Sequence, residues 1–325
     1  MKAYTKRKEE MEMKKATKCL LGGVLGILLL TPVSQVKADW QRDNVGWWYS
    51  LNNGSYYKNT EAKINGKWYK FDDRGYMMTG WQLIWERNDS RWGIIKNWSY
   101  FDPVNGDQKI GWQNIDGKWY YLTRDGALMG EQYMDGKQYY FDPVNADMKT
   151  GWISKQENSD TNWYYYDPVS GALVKGWQNI DGKWYYFKHS ALKGSQNLDG
   201  KNYYFDPINC DMQTGWVSKQ MASGTEKYYF DLESGEQLLG WQDVDGKRYY
   251  FGMYGALTFH QYIAGKHYYF DTDTCELKIG WFESSGSKYY ADPNDGGALA
   301  SNKTLIIDGV SYTFDVYGSL INNEP

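Results

Sequence analysis

A Gly-Trp step that opens a short hairpin returns along most of this chain at a fixed period, and that periodicity constrains the fold more than any other feature. The step occurs at Trp112, Trp152, Trp177, Trp216, Trp241 and Trp281, while the equivalent positions between them carry Glu131, Ser195 and His260. The hairpins therefore fall into triplets of 64 to 65 residues in which the middle member lacks its Trp. Seven residues after the opening position the second strand carries Trp119 and Trp184, but Gln138, Asn202 and His267 in the middle hairpins. Packing residues would be lost singly, whereas two walls of one pocket would be lost together. Short units that repeat at a fixed period cannot bury their own apolar face and must stack on their neighbours.

The unit is legible in Gly111-Trp112-Gln113-Asn114-Ile115-Asp116-Gly117-Lys118-Trp119-Tyr120-Tyr121-Leu122. Asp116-Gly117 is a two-residue hairpin signal, because a type I′ turn needs positive φ at both central residues. That turn sets Ile115 opposite Lys118, Asn114 opposite Trp119 and Trp112 opposite Tyr121. Side chains alternate along a strand, so Trp112, Asn114, Trp119 and Tyr121 share one face. The two indoles are then diagonal neighbours within aromatic reach. Linkers such as Phe141-Asp142-Pro143-Val144-Asn145-Ala146 turn the chain into the next step. Longer tips occur at 154–162 and 218–226, and 82–97 is an insertion of unassigned shape. The fold predicted is an all-β solenoid of stacked β-hairpins, about twelve repeats of roughly 20 residues each.

Residues 1–38 read as a secretory signal, with a basic start, an apolar run from Leu20 to Leu30 and small residues at Val36-Lys37-Ala38. Residues 39–80 are a degenerate version of the pattern, with Trp47, Trp48 and Trp68, and 81–325 form the repeat solenoid proper. No second apolar segment suggests a transmembrane anchor. Removing residues 1–38 takes eight of the 36 Lys/Arg and three of the 40 Asp/Glu, leaving 28 against 37 and a formal charge of −9. An acidic chain without a basic patch is no nucleic-acid binder, and it can hold an anionic polymer only through a cation carried on that polymer. Cys210 and Cys275 occupy matching repeat positions 65 residues apart, too distant in a stacked array for a disulfide, and are expected as free thiols. His260 and His267 share a face but show no third or fourth ligand, so no metal is expected, and no cofactor motif is present. Carboxylate pairs such as Asp72-Asp73 sit in turns without a cleft, and no nucleophile-base pair stands in a credible context; the chain reads as non-catalytic.

A box of indole and phenol faces suits a quaternary ammonium, which donates no conventional hydrogen bond and is attracted to π-faces. The pattern Gly-Trp, six residues, Trp-Tyr-Tyr-Leu/Phe, then Met148-Lys149-Thr150-Gly151-Trp152, resembles the choline-binding repeat of pneumococcal-type surface proteins, and the likeness spans nearly all the chain after residue 38. The resemblance implies a left-handed superhelix in which two Trp of one hairpin and a Tyr of the next enclose choline of teichoic and lipoteichoic acids. Carried over by position, the boxes are Trp112, Trp119 and Tyr140; Trp152, Trp163 and Tyr186; Trp177, Trp184 and Tyr204; and, across the insertion, Trp81, Trp98 and Tyr121. Stripped hairpins keep their tyrosines to close a neighbour's box, and their own side is expected to face solvent or a partner. Lys227, Arg248 and Lys288 replace the second indole beside Trp216, Trp241 and Trp281, which are expected to be structural. The resemblance further implies a secreted protein held noncovalently on the bacterial wall, an adhesin or a modulator of wall hydrolases, with host surface molecules or hydrolases as partners. Related aromatic repeats bind glucans or host glycans, and a purely structural spacer is the blandest alternative.

Overall fold

The computed structural model describes residues 37–157, 159–222 and 224–324. Nearly all of the expected signal segment, including Cys19, lies outside them. Apart from a 3-10 turn at Pro293–Asp295, regular structure among the described residues is β throughout, in thirteen sheets of two or three strands. This is the stacked-hairpin solenoid that the periodicity requires.

The Asp-Gly turns carry the expected conformation, with φ of 52° at Asp116 and 80° at Gly117. The register follows: Trp112 opposes Tyr121, Asn114 opposes Trp119 and Ile115 opposes Lys118. One face of each hairpin enters the core, as with Ile115, Tyr120 and Leu122, then Ile180, Tyr185 and Phe187. A buried Phe or Leu of this kind contributes about 1.5–3 kcal/mol by leaving water. The other face carries the indoles.

Most linkers close on an aspartate that accepts backbone N–H groups, as Asp142 does from Val144 at 2.9 Å and Asn145 at 2.8 Å. The linker then reaches back beyond its own hairpin. Met148 N–H donates to the carbonyl of Trp119 at 2.7 Å, Ala191 to that of Trp163 at 2.8 Å and Met212 to that of Trp184 at 2.7 Å. The residue bearing the second indole is thus pinned through its backbone by the linker of the following hairpin. Ion pairs follow the same step, Lys183 to Asp211 at 3.0 Å and Lys118 to Asp147 at 3.7 Å.

Linker turns pack by complementary size. A Cβ at Gly171 would lie 2.3 Å from Met148 Sδ, and one at Gly235 would lie 2.4 Å from Met212 Sδ. Cys210 holds the equivalent position at φ 65°, and there the neighbouring linker carries Ala191 instead of Met. Cys210 and Cys275 are both buried and free, as their spacing required. Burial pushes the Cys210 thiol up to about 11.

Residues 82–97 lengthen one hairpin, whose strands run Gly80–Asp89 and Gly93–Phe101. The longer tips are extended strands too, Gly151–Glu157 paired with Asp160–Tyr166 and Gly215–Met221 with Gly224–Phe230. The chain divides into two compact units. One comprises the described residues to Ile84 with Trp98–Ile110 and Arg124–Gly126; the other comprises Trp85–Asn97, Gly111–Thr123 and the chain from Ala127 onward.

Candidate cation-binding boxes

In the second unit the hairpin register brings three indole pairs together. Ring centroids are 6.4 Å apart for Trp112 and Trp119, 6.3 Å for Trp152 and Trp163, and 6.4 Å for Trp177 and Trp184. The planes stand at 79°, 86° and 83°, so each pair makes an open corner rather than a stack. The first indole of each pair is seated on the next hairpin: Trp112 lies 5.0 Å from Tyr139 and 5.7 Å from Phe141. In two pairs the second stands clear, with Trp119 46% and Trp184 44% exposed, while Trp163 is half-buried against the next hairpin's core. An indole that served only the core would not leave half its surface in water.

The third wall is one residue away from its expected place. Tyr139, Tyr185 and Tyr203 meet the first indoles at 5.0, 4.9 and 5.0 Å, where Tyr140, Tyr186 and Tyr204 were expected. The reason is strand alternation: Tyr139 shares the core-directed face with Phe141, and the adjacent Tyr140 points the other way. Tyr186 instead edges Trp177 of its own hairpin at 5.1 Å. Tyr140 and Tyr204 lie against Tyr166 and Phe230 at 6.1 and 6.2 Å. Of the fourth trio, Trp81 and Trp98 belong to the first unit, where Trp81 edges Tyr100 at 5.0 Å, and Tyr121 belongs to the second.

Several registers without two indoles hold a cation of the chain itself. The ammonium of Lys155 sits 5.0 Å from the ring of Tyr140 and 4.0 Å from that of Tyr164, paired with Glu131. Lys219 repeats this one triplet later, 4.8 Å from Tyr204 and 3.8 Å from Tyr228, with a 2.6 Å bond to Ser195 Oγ. Burial lowers the pKa of Lys219. The stripped sides of these two hairpins are therefore covered from within, not open as expected. At the third, Tyr269 is met by Phe282 at 4.9 Å and bonded to Ser284 at 2.5 Å. The signal was present in the sequence: Lys155 and Lys219 stand where Ile115, Ile180 and Leu198 stand in other hairpins.

Two of the three single-indole hairpins of the second unit do the same, and the Trp216 hairpin does not. Arg248 lies 5.1 Å from the ring of Trp241 and Lys288 lies 4.8 Å from that of Trp281, while Lys227 donates to the carbonyl of Asp273. In the first unit Arg124 covers Trp68 at 4.0 Å and pairs with Glu61 at 2.6 Å. That unit also contains a further indole pair outside the expected boxes. Trp40 lies 5.2 Å from Tyr49 and 4.8 Å from Tyr69, matching the surroundings of Trp112, and Trp47 follows it by seven residues. That spacing, shared with Trp112 and Trp119, could have revealed it. Arg42 lies 5.4 Å from the Trp47 ring.

His260 and His267 occupy the two indole positions of the third stripped hairpin and stack at 4.8 Å. Burial, then the neighbouring imidazole, lowers the pKa of His260. No group of three or more His, Cys, Asp or Glu side chains among the described residues could hold a metal ion.

Perpendicular indoles closed by a phenol, repeated along a hairpin stack, agree with the sequence family described as Choline-binding repeat, which matches residues 109–148, 128–176 and 192–239. A second family, Putative cell wall binding repeat, matches 175–189 and 279–296. The chain thus carries segments of the choline-binding repeat type. All three indole pairs of the second unit fall inside matched segments. Among curated proteins, Glucosyltransferase-S of Streptococcus downei is 28% identical over 117 residues, 36% of this chain and 8% of that protein. Glucosyltransferase-S of Streptococcus mutans serotype c is 27% identical over 235 residues, 63% of this chain and 16% of that protein. The chain thus spans a small part of the length of these relatives. Among solved structures, choline binding protein F from Streptococcus pneumoniae is 28% identical, with a TM-score of 0.49 over 88% of this chain and 99% of that one.

Proposed function

We propose that this choline-binding repeat protein is a secreted, non-catalytic surface protein that docks noncovalently on choline residues of teichoic and lipoteichoic acids in its cell wall. The observation that carries this reading is the set of three perpendicular indole pairs, two of which leave the second ring exposed to water. Each aromatic wall attracts a quaternary ammonium by about 0.5–2 kcal/mol, so three walls make a site of roughly millimolar strength. Several such sites on a polymer with regularly spaced ligands raise avidity by about 10²–10⁴. Wall attachment of this kind serves an adhesin or a modulator of wall hydrolases competing for the same choline.

The test is retention on a choline resin with elution by free choline. Trp119→Ala and Trp184→Ala should each elute at lower choline concentration than the unaltered protein, and Trp281→Ala should elute unchanged. Equal weakening by all three would reject the assignment of open and closed positions. A second reading, glucan or host-glycan binding, draws support from the matches to two proteins named Glucosyltransferase-S. Release by an oligosaccharide and not by choline would favour it.

A further inference from the structure

The indole pair at Trp152 and Trp163 differs from the other two in what stands in front of it. Its hairpin has the longer tip, and a surface cavity of about 680 Å³ opens there, lined by both indoles, Tyr185, Lys183, Lys193 and Asp160. That volume lies in the range of small-molecule sites and exceeds what a trimethylammonium group fills. The cavity has an aromatic part and a charged part. Lys193 is held in place by Asp160 at 2.9 Å and by the carbonyl of Thr161 at 2.5 Å. Lys183 is held by Asp211 at 3.0 Å, and more than half of its side chain stays exposed.

Resting on the choline reading above, we propose that this cavity takes choline together with the phosphate that carries it, as a phosphodiester-linked headgroup. The ammonium occupies the corner of Trp152, Trp163 and Tyr185. The phosphate oxygens accept from Lys183 and Lys193, whose ammonium groups keep N–H donors beyond those given to their carboxylate partners. With Asp160 and Asp211 neutralising both lysines in the free protein, the cavity does not attract polyanions at large; it selects a ligand that brings a cation and an anion a few bonds apart. The shorter Asp-Gly tips at Asp116-Gly117 and Asp181-Gly182 offer no counterpart to Asp160.

The experiment compares choline with glycerophosphocholine, a soluble phosphodiester of choline, by calorimetric titration of the whole secreted chain at low and high salt. One site per chain should prefer glycerophosphocholine by about two- to tenfold at low salt, the effect of one or two partly exposed charge contacts. The preference should shrink in 0.5 M NaCl while choline binding persists, because screening acts on the phosphate contact and hardly on the aromatic one. Lys183→Gln combined with Lys193→Gln should abolish the preference for glycerophosphocholine over choline, with choline itself still bound at least as tightly because Asp160 and Asp211 lose their neutralising partners. Equal binding of the two ligands, or a preference that survives both the double substitution and high salt, would overturn the proposal. If the double variant does not fold, the salt series on the unaltered protein decides alone. Failure of choline itself to bind would instead reject the function proposed above, so the two failures are distinct.

Discussion

If a missing second indole is what closes a register to ligand, restoring it should open one. Arg248→Trp is the sharpest case, because everything else around Trp241 is already in place. Trp241 lies 5.2 Å from Tyr250, 4.9 Å from Tyr268 and 5.8 Å from Phe270. Trp177 lies 5.1, 5.0 and 5.8 Å from Tyr186, Tyr203 and Phe205. The register also matches, since Arg248 opposes Asp243 as Trp184 opposes Asn179. The substitution removes the resident guanidinium, 5.1 Å from the indole, and adds a wall worth about 0.5–2 kcal/mol, a change of about 2- to 30-fold in affinity. Its cost is the Arg248–Asp243 pair, 3.9 Å apart with both side chains largely in water, about 0–1 kcal/mol. Calorimetric titration with choline should find one more site per chain than in the unaltered protein, at about millimolar strength. Arg248→Ala, which removes the cation without adding a wall, should add none of comparable strength. An unchanged site count in a variant with unchanged melting temperature would refute the view that the second indole decides occupancy.

Other consequences can be checked independently. Lys155→Ala leaves Glu131 with the Gln138 amide alone and removes a largely buried side chain from beside two tyrosines, so it should cost about 1–3 kcal/mol in denaturant melts; Lys155→Met should cost less, and neither should alter elution from choline resin. Cys210 and Cys275 should resist a thiol reagent in the native protein and both react on unfolding, since burial suppresses the thiolate. Burial raises the pKa of Asp102, but the Lys109 ammonium and the Asn105 and Val104 N–H groups outweigh it and hold the carboxyl at about 2, against 3.8 unperturbed. A carboxyl lowered on folding stabilises above its unfolded pKa, so melting temperature should fall as pH drops from about 4 to about 2, and Asp102→Asn should flatten part of that slope.

The register of each hairpin was legible because two residues determine it. Asp116-Gly117 specifies the turn, the turn specifies the pairing, and the pairing places Trp112 beside Trp119. Family likeness points to Tyr140 as the third wall, whereas alternation along the next hairpin's own strand turns Tyr139 to the indole. The parity was available: Tyr139 sits two residues before Phe141, the core residue of its strand. The coverage of stripped hairpins was harder to see. It depends on which hairpin lies against which, and Lys155 departs from its register series by a single residue type. The shape of 82–97 could not be read at all, because extension of both strands leaves no turn signal at the usual spacing.

The resident cations make one rule of what the sequence presents as scattered substitutions. A half-formed aromatic pocket is a poor surface to leave empty: its π-faces attract cations, and its apolar edges gain by being covered. Lys155 and Lys219 reach in from the following hairpin, Arg248 and Lys288 from the same hairpin, and Arg124 from a linker. Different elements thus supply the same chemistry at equivalent positions. Most of the incomplete pockets are filled by the chain's own ammonium and guanidinium groups, and by contrast this marks which pockets are left for a ligand's cation. By that criterion the pairs at Trp112, Trp152 and Trp177 are open not because they lack a partner but because their second wall is an indole, which leaves the charge to be supplied from outside.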